Sequence, residues 1–199
     1  IVTVDSAGRG ATLRFRFNGW GEKYAMPGDS TVGDVIVSAM AMRPFRYDVV
    51  LEGGAVDVDG EGTLLTTEQC LFEPKRNPSM DRAALERLLE EAFGVSKVVW
   101  VRRGIVNDHT DGHIDTIVRF VAPGRVVAME PRTPDDPHAE AMHDILDDLA
   151  EATDAKGRPL EVVRLPSPGL IRDHEDEILP ASYCNFYVAN RCVVVPTYG

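Results

Sequence analysis

The fold of this chain is decided by residues 55–101, which read AVDVDGEGTLLTTEQCLFEPKRNPSMDRAALERLLEEAFGVSKVVWV. Apolar residues at 55–58 and 63–67 flank a glycine-rich turn, the pattern of two strands joined in a hairpin. Apolar residues then recur every three or four positions up to Gly94, and glycine commonly ends a helix. The apolar run at 97–101 predicts a third strand. The predicted unit of the fold is therefore strand, strand, helix, strand.

The same order of elements recurs along the chain at a spacing of roughly 55 to 70 residues. An earlier copy has strands at 1–4 and 11–17, a helix at 31–42 and a strand at 47–51. A later copy has strands at 116–121 and 125–129, a helix carrying Met142, Ile145, Leu146 and Leu149, and a strand at 161–165. A fourth copy begins with strands at 183–188 and 192–195. Because each copy offers one apolar sheet face and one helix to cover it, we expect an α/β fold whose copies pack side by side around an axis.

The size and charge of the chain limit the classes of protein to which it could belong. Its 199 residues, 44% of them hydrophobic, are enough for one domain, which we predict to span residues 1–199. A formal net charge of −11 disfavours binding to nucleic acid or to an anionic membrane, and it attracts small cations. No stretch approaches the ~20 apolar residues of a membrane span, and the start of the chain lacks a signal-peptide pattern. We therefore expect a cytoplasmic protein.

The cysteines indicate neither a disulfide framework nor a zinc site. Cys70, Cys184 and Cys192 are an odd number of cysteines, and no two of them have the CxxC spacing. This sparse set is typical of proteins in a reducing compartment.

Proton-transfer and cation-binding side chains are concentrated in residues 108–115, which read DHTDGHID. On an extended backbone, His113 and Asp115 would project to the same face, placing an imidazole beside a carboxylate. His109 and His113 have the four-residue spacing of metal ligands on a helix, but Gly112 and the following strand argue against a helix there. We therefore predict no metal, and a metal hydrolase using His109, His113 and Asp115 is the minor alternative.

Three other residues are candidates for binding a ligand. Glu52 follows an apolar run and precedes two glycines, so it lies where a strand ends and a ligand can approach, although the residues alone favour a solvated turn carboxylate. Trp20 could place an aromatic face against a cation or could belong to the core. Asn185 is predicted on a strand, on the face that carries Tyr183 and Tyr187 and opposite to Cys184. There it could orient substrate or make a sheet-edge hydrogen bond.

The segments LEGG (51–54), DGHID (111–115) and LPASYCNFYVAN (179–190) resemble those of agmatine deiminases and bacterial-type peptidylarginine deiminases. The resemblance implies a pentein fold, a propeller of five ββαβ modules with the active site on the axis, of which this chain covers about three and a half. It also implies a hydrolase that converts agmatine to N-carbamoylputrescine and ammonia through a Cys-thiouronium intermediate, without a cofactor. In this resemblance His113 is the general acid/base, and Glu52 and Asp115 hold the small cationic guanidinium substrate.

Two parts of the family pattern have no counterpart in this chain. The nucleophilic cysteine belongs to a glycine-rich segment near the family's C-terminus, and a further substrate-binding aspartate belongs to an Arg-Asp-x-Gly-Pro segment. We therefore expect a domain truncated at both ends and inactive alone, with an exposed apolar edge that favours homo-oligomers. The alternatives are a peptidylarginine or arginine deiminase, and a non-catalytic binding module on the same fold.

Overall fold

The computed structural model describes residues 1–4 and 7–198, and the strands and helices follow the predicted order. The first part of the chain contains β1 (Val2–Val4), β2 (Gly10–Arg16), the single turn α1 (Gly19–Glu22), α2 (Asp29–Met40) and β3 (Arg43–Val50). The middle contains β4 (Val56–Val58), β5 (Thr63–Thr67), α3 (Glu68–Leu71), α4 (Arg82–Phe93) and β6 (Lys97–Val101). The last part contains β7 (Val118–Ala122), β8 (Arg125–Glu130), α5 (Ala139–Glu151), β9 (Glu161–Pro166), β10 (Tyr187–Val188) and β11 (Val193–Val194).

The predicted repeat is present as three sheets with one topology. In each sheet an antiparallel hairpin is extended by a third strand that runs parallel to the second, giving the orders β1-β2-β3, β4-β5-β6 and β7-β8-β9. A helix connects the second and third strands in each copy, as a parallel connection requires. The chain therefore has the predicted α/β fold, arranged in two compact units: residues 1–53 with 71–94, and residues 54–70 with 95–199.

The first unit is held together around Phe15 of β2. Its ring stacks on Tyr47 of β3, with ring centroids 5.1 Å apart, and on Phe93, with centroids 5.9 Å apart. Phe93 is the last residue of α4, which begins after the capping side chain of Asp81 and ends at Gly94 in the left-handed conformation. A helix of the second copy thus packs on a strand of the first copy.

The expectation that every helix buries an apolar face is wrong for α2. None of its residues is buried, and Val32, Val35, Ile36 and Met40 are exposed. The cause lies in Arg14 of β2, whose guanidinium fills the space against Gly33 and pairs with Asp34. A polar layer therefore separates α2 from the sheet below it.

The second unit contains a continuous apolar core. Helix α5 packs against β8 and β6 through Met142, Ile145 and Leu149, all buried. The core continues into the sheets and into the segment 105–117 through these residues: Leu65, Val99, Val101, Ile105, Ile114, Ile117, Val118, Val126, Ala128, Met129, Leu160 and Cys184. No helix within residues 1–4 and 7–198 is long and apolar enough to cross a membrane.

The fourth copy differs from its prediction. Its strands are the two-residue segments β10 and β11, both exposed, rather than strands at 183–188 and 192–195. The amide of Phe186 donates to the carbonyl oxygen of Cys184 at 2.7 Å, a turn over three residues that interrupts the strand. Cys184 is consequently buried while Asn185 is exposed on the turn, so the predicted alternation of faces does not exist there.

Candidate functional site

The loop that precedes His113 begins and ends at two glycines whose backbones are in contact. A Cβ atom on Gly104 would lie 2.3 Å from Cα of Gly112, and Gly112 has φ of 81°. Only glycine allows two backbones to approach so closely and permits that conformation without strain. The carbonyl oxygen of Gly112 also accepts a 2.6 Å hydrogen bond from the hydroxyl of Thr67, at the end of β5. These contacts close residues 105–112 into a loop and fix the positions of its two ends.

His113 is fixed through its backbone. Its amide donates to Oδ2 of Asp108 and to Oγ1 of Thr110, both at 3.2 Å. The other oxygen of Asp108 accepts from the amide and hydroxyl of Thr110 at 2.9 Å and 2.6 Å. The carboxylate of Asp108 and the hydroxyl of Thr110 therefore set the direction in which the imidazole leaves the chain.

The side chains of His113 and Asp115 lie close together as predicted, although the backbone between them is not extended. Residues Ile114–Thr116 form one turn of 3-10 helix with His113 at its N-cap. A Cβ atom on Gly54 would lie 2.6 Å from Nδ1 of His113 and 2.6 Å from Oδ2 of Asp115. Since both atoms are 2.6 Å from one point, they lie within about 5 Å of each other. The absent side chain of Gly54 leaves the space that both functional groups occupy.

The carboxylate of Asp115 is held in a partly desolvated position. Burial raises the pKa of Asp115 above its ordinary value, while positive charge on His113 and on Arg119 lowers it. The negative charge of Asp108 raises the same pKa, and a hydrogen bond from the hydroxyl of Thr116 at 3.4 Å lowers it. A cation placed against Asp115 would compensate for the lost water, so this carboxylate is suited to binding one.

The turn that carries Asp115 is supported by the segment after β9. The hydroxyl of Ser182 donates to the carbonyl oxygen of Thr116 and accepts from the amide of Cys184. Ser182 and Cys184 are both buried. The segment LPASYC therefore has a structural role beneath the site.

The first unit contains a buried ion pair that the sequence did not predict. Nε of Arg76 donates to both carboxylate oxygens of Glu52, at 2.9 Å and 3.2 Å, and both side chains are buried. The side-chain amide of Asn77 forms two hydrogen bonds with the backbone of Val50, just before Glu52. No local sequence pattern links Arg76 to Glu52, which lies 24 positions earlier.

The remaining predicted residues have varied surroundings. Trp20 lies in α1 with φ of 55°, and its ring packs edge-on against Phe17 at 4.9 Å, so it belongs to an aromatic cluster of the first unit. Asn185 is exposed, and His109 is exposed while His113 is buried, so the helical pairing of the two histidines does not occur. His138 is 1% exposed at the start of α5, where Nε2 lies 3.3 Å from the carbonyl oxygen of Leu179.

The three cysteines differ in their surroundings. Burial raises the pKa of Cys184 to about 12, so its thiolate is scarce at neutral pH. Cys70 is buried in α3, and Cys192 is exposed beside β11. The chemistry that His113 and Asp115 offer is acid/base chemistry and cation binding.

Comparison with known proteins identifies the family of this chain. Residues 1–199 match the family described as Porphyromonas-type peptidyl-arginine deiminase. The chain belongs to this family of deiminases, as the sequence resemblance predicted. It is 37% identical over 216 residues to the "Putative agmatine deiminase" of Vibrio parahaemolyticus, covering 98% of this chain and 60% of that protein.

Two solved structures show the same fold. The agmatine deiminase of Enterococcus faecalis is 33% identical with a TM-score of 0.92, over 99% of this chain and 60% of that one. An agmatine deiminase of C. jejuni with a cysteine-to-serine substitution and bound substrate is 30% identical with a TM-score of 0.85, over 96% and 56%. The chain spans about 60% of the length of the relatives that it matches.

Proposed function

We propose that the whole protein is a hydrolase that deiminates a guanidinium compound, with agmatine as the substrate and N-carbamoylputrescine and ammonia as products. The observation that carries this proposal is the placement of the His113 imidazole and the Asp115 carboxylate against the bare Cα of Gly54. A planar guanidinium requires a carboxylate for paired hydrogen bonds and a group that moves protons at neutral pH.

Glu52 is proposed as the second anchor for the cation. It lies two residues before Gly54 in the chain, and two residues span at most about 7 Å. Nε of Arg76 donates to both oxygens of Glu52 and so fixes the orientation of this buried side chain. Trp20 and Asn185 are proposed to contact the rest of the substrate.

The proposed reaction has two steps in which His113 exchanges one proton. A cysteine thiolate attacks the guanidinium carbon, the bond from that carbon to one nitrogen breaks, and His113 protonates the leaving ammonia. Water then attacks the thiouronium carbon, His113 accepts a proton from it, and the carbon–sulfur bond breaks to release the ureido product. The family's nucleophile belongs to a glycine-rich segment, and none of Cys70, Cys184 and Cys192 lies in one, so we propose that the nucleophile lies outside residues 1–199.

We infer a five-module pentein propeller for the whole protein, of which the three sheets and the β10–β11 hairpin are part. Agmatine is preferred to free arginine because arginine calls for a basic group to hold its carboxylate, and relatives named agmatine deiminases share 33% and 37% identity with this chain. A peptidylarginine or arginine deiminase is the alternative substrate class. A non-catalytic module would have no need of an acid and an imidazole buried side by side.

Calorimetry with the 199-residue chain tests the binding half of this proposal. Agmatine should bind, whereas putrescine, which has the same chain length without the guanidinium, should bind at least about tenfold more weakly. His113→Ala should retain agmatine binding, and in the whole protein it should abolish ammonia release. Asp115→Asn should lose binding, and equal loss in His113→Ala would contradict the separation of roles.

A further inference from the structure

Arg119 is a half-buried arginine in β7 that connects three segments of the second unit. Its Nε lies 3.3 Å from Oδ2 of Asp57 in β4, and its Nη1 donates to the carbonyl oxygen of Phe186 at 2.8 Å. The guanidinium also lies over the Phe186 ring, 4.9 Å from the centroid. One side chain therefore joins β4, β7 and the turn at 184–186.

Arg119 and Asp57 form the joint between two sheets. β4 and β7 are edge strands of different sheets and share no strand-to-strand pairing. The Oδ2 atom that faces Arg119 also accepts a 2.7 Å hydrogen bond from the amide of Phe120, so the Asp57 carboxylate satisfies a backbone group at the edge of β7. Charge-assisted hydrogen bonds are stronger than those between neutral groups. The separation of the two edges is thus set by these side chains.

This joint lies next to the candidate site in the chain. Gly54 is three residues before Asp57, and Asp115 is four residues before Arg119. We propose that Arg119 is a positioning residue that holds the Gly54 turn and the 184–186 turn around the Asp115 carboxylate. The inference rests on the proposed function, because it assigns to Arg119 the geometry of that same guanidinium site.

The charge of Arg119 adds a second effect that a merely structural residue would not have. The charged groups that act on Asp115 are His113, Arg119 and Asp108, and Arg119 favours the ionised carboxylate against the effect of burial. A guanidinium binds to the carboxylate and not to the neutral acid. Loss of Arg119 should therefore raise the pKa of Asp115. As pH falls, the variant should then lose agmatine binding at a higher pH than the wild type does.

The test combines a ligand-free measurement with a binding measurement on the 199-residue protein. NMR of the Asp115 carboxyl carbon gives its titration, and calorimetry gives agmatine affinity across pH, in the wild type and in Arg119→Gln, Arg119→Lys and Asp57→Asn. Arg125→Gln is the control, since Arg125 of β8 forms an exposed pair with Glu161. Arg119→Gln should raise the Asp115 midpoint and weaken agmatine roughly tenfold near neutral pH.

Arg119→Lys separates geometry from charge, because lysine keeps the charge but not the planar fork. It should restore the Asp115 titration while leaving agmatine binding weaker than in wild type. Asp57→Asn should weaken agmatine through the joint and accelerate hydrogen exchange at the Phe120 amide. Arg125→Gln should match the wild type in both measurements.

Unchanged Asp115 titration and unchanged agmatine affinity in folded Arg119→Gln would overturn the proposal. If Arg119→Gln does not fold, an Arg119→Lys protein with wild-type affinity overturns it equally. Should the wild type bind no guanidinium compound, the proposed function fails, and the ligand-free titration and Phe120 exchange still decide whether Arg119 positions Asp115.

Discussion

Gly54 and Asp115 occupy one space: a Cβ atom on residue 54 would lie 2.6 Å from Oδ2 and 2.9 Å from Cγ of Asp115. A Cβ atom at so short a contact would push the carboxylate from its position. The 3-10 turn at Ile114–Thr116 and the bond from the Ser182 hydroxyl to the carbonyl oxygen of Thr116 hold the backbone from which Asp115 extends. The glycine after the LEG segment is thus part of the site, although it contributes no functional group.

Gly54→Ala should therefore displace His113 and Asp115 together. Agmatine affinity should fall by at least about tenfold, and the free energy of unfolding should fall by about 1–3 kcal/mol, as for an overpacked position. The matched control is Gly53→Ala, because a Cβ atom at residue 53 meets nothing within 4 Å. Equal effects of the two substitutions in calorimetry and thermal unfolding would show that backbone freedom, not the contact, explains the glycine.

Asp115→Asn should raise stability while it removes binding. Burial raises the pKa of Asp115 in the folded state, so the acid form is favoured there and the ionised form costs free energy. This stabilisation by the protonated acid is lost as pH rises through the folded pKa, and the asparagine avoids that cost. Above that pH the variant should be more stable by on the order of 1 kcal/mol, with the difference disappearing at acid pH.

Urea unfolding at several pH values measures this difference, with Asp147→Asn on the exposed side of α5 as the control. A destabilised Asp115→Asn protein at neutral pH would mean that the carboxylate is a structural hydrogen-bond acceptor. Its burial would then be unrelated to holding a cation.

Arg76→Gln should destabilise the protein strongly because it removes the guanidinium that donates to both oxygens of the buried Glu52 carboxylate. Breaking a buried ion pair by removing one partner costs about 3–5 kcal/mol. The double variant Arg76→Gln with Glu52→Gln should recover part of that loss, since it leaves no buried charge. If the double variant is as unstable as Arg76→Gln alone in chemical denaturation, the pair stabilises the fold through packing and not through charge.

The thiols should differ sharply in reactivity. The exposed Cys192 should react with iodoacetamide in the folded protein at pH 8, whereas Cys184, with its pKa raised to about 12, and the buried Cys70 should not. Mass spectrometry of labelled peptides measures this, and Cys192→Ser should abolish labelling of the native state. Rapid labelling of Cys70 or Cys184 would restore that residue as a candidate nucleophile.

Local sequence patterns predicted the elements whose hydrogen bonds and apolar faces are local. β5 and β6 have the predicted bounds, and α4 ends at Gly94 because its left-handed C-cap favours glycine. The pairing of Arg76 with Glu52 could not be predicted, since the two residues meet across 24 positions. The burial of His138 likewise depends on Leu179, which lies 41 positions away.

Two other differences arise from side chains that replace the regular pattern. Arg14 lies beneath α2, so the apolar residues of that helix remain exposed where periodicity predicted burial. The three-residue turn at Cys184–Phe186 shortens β10 although the residues there favour a strand. Tertiary contacts prevail over local preference in both places.

A crystal structure of the protein, grown with agmatine at a concentration well above its dissociation constant, tests the central claim most directly. The account predicts that the guanidinium lies beside Gly54, with its nitrogens within hydrogen-bonding distance of the Asp115 carboxylate and its carbon next to the His113 imidazole. Agmatine bound elsewhere, out of contact with Asp115 and His113, would contradict the account.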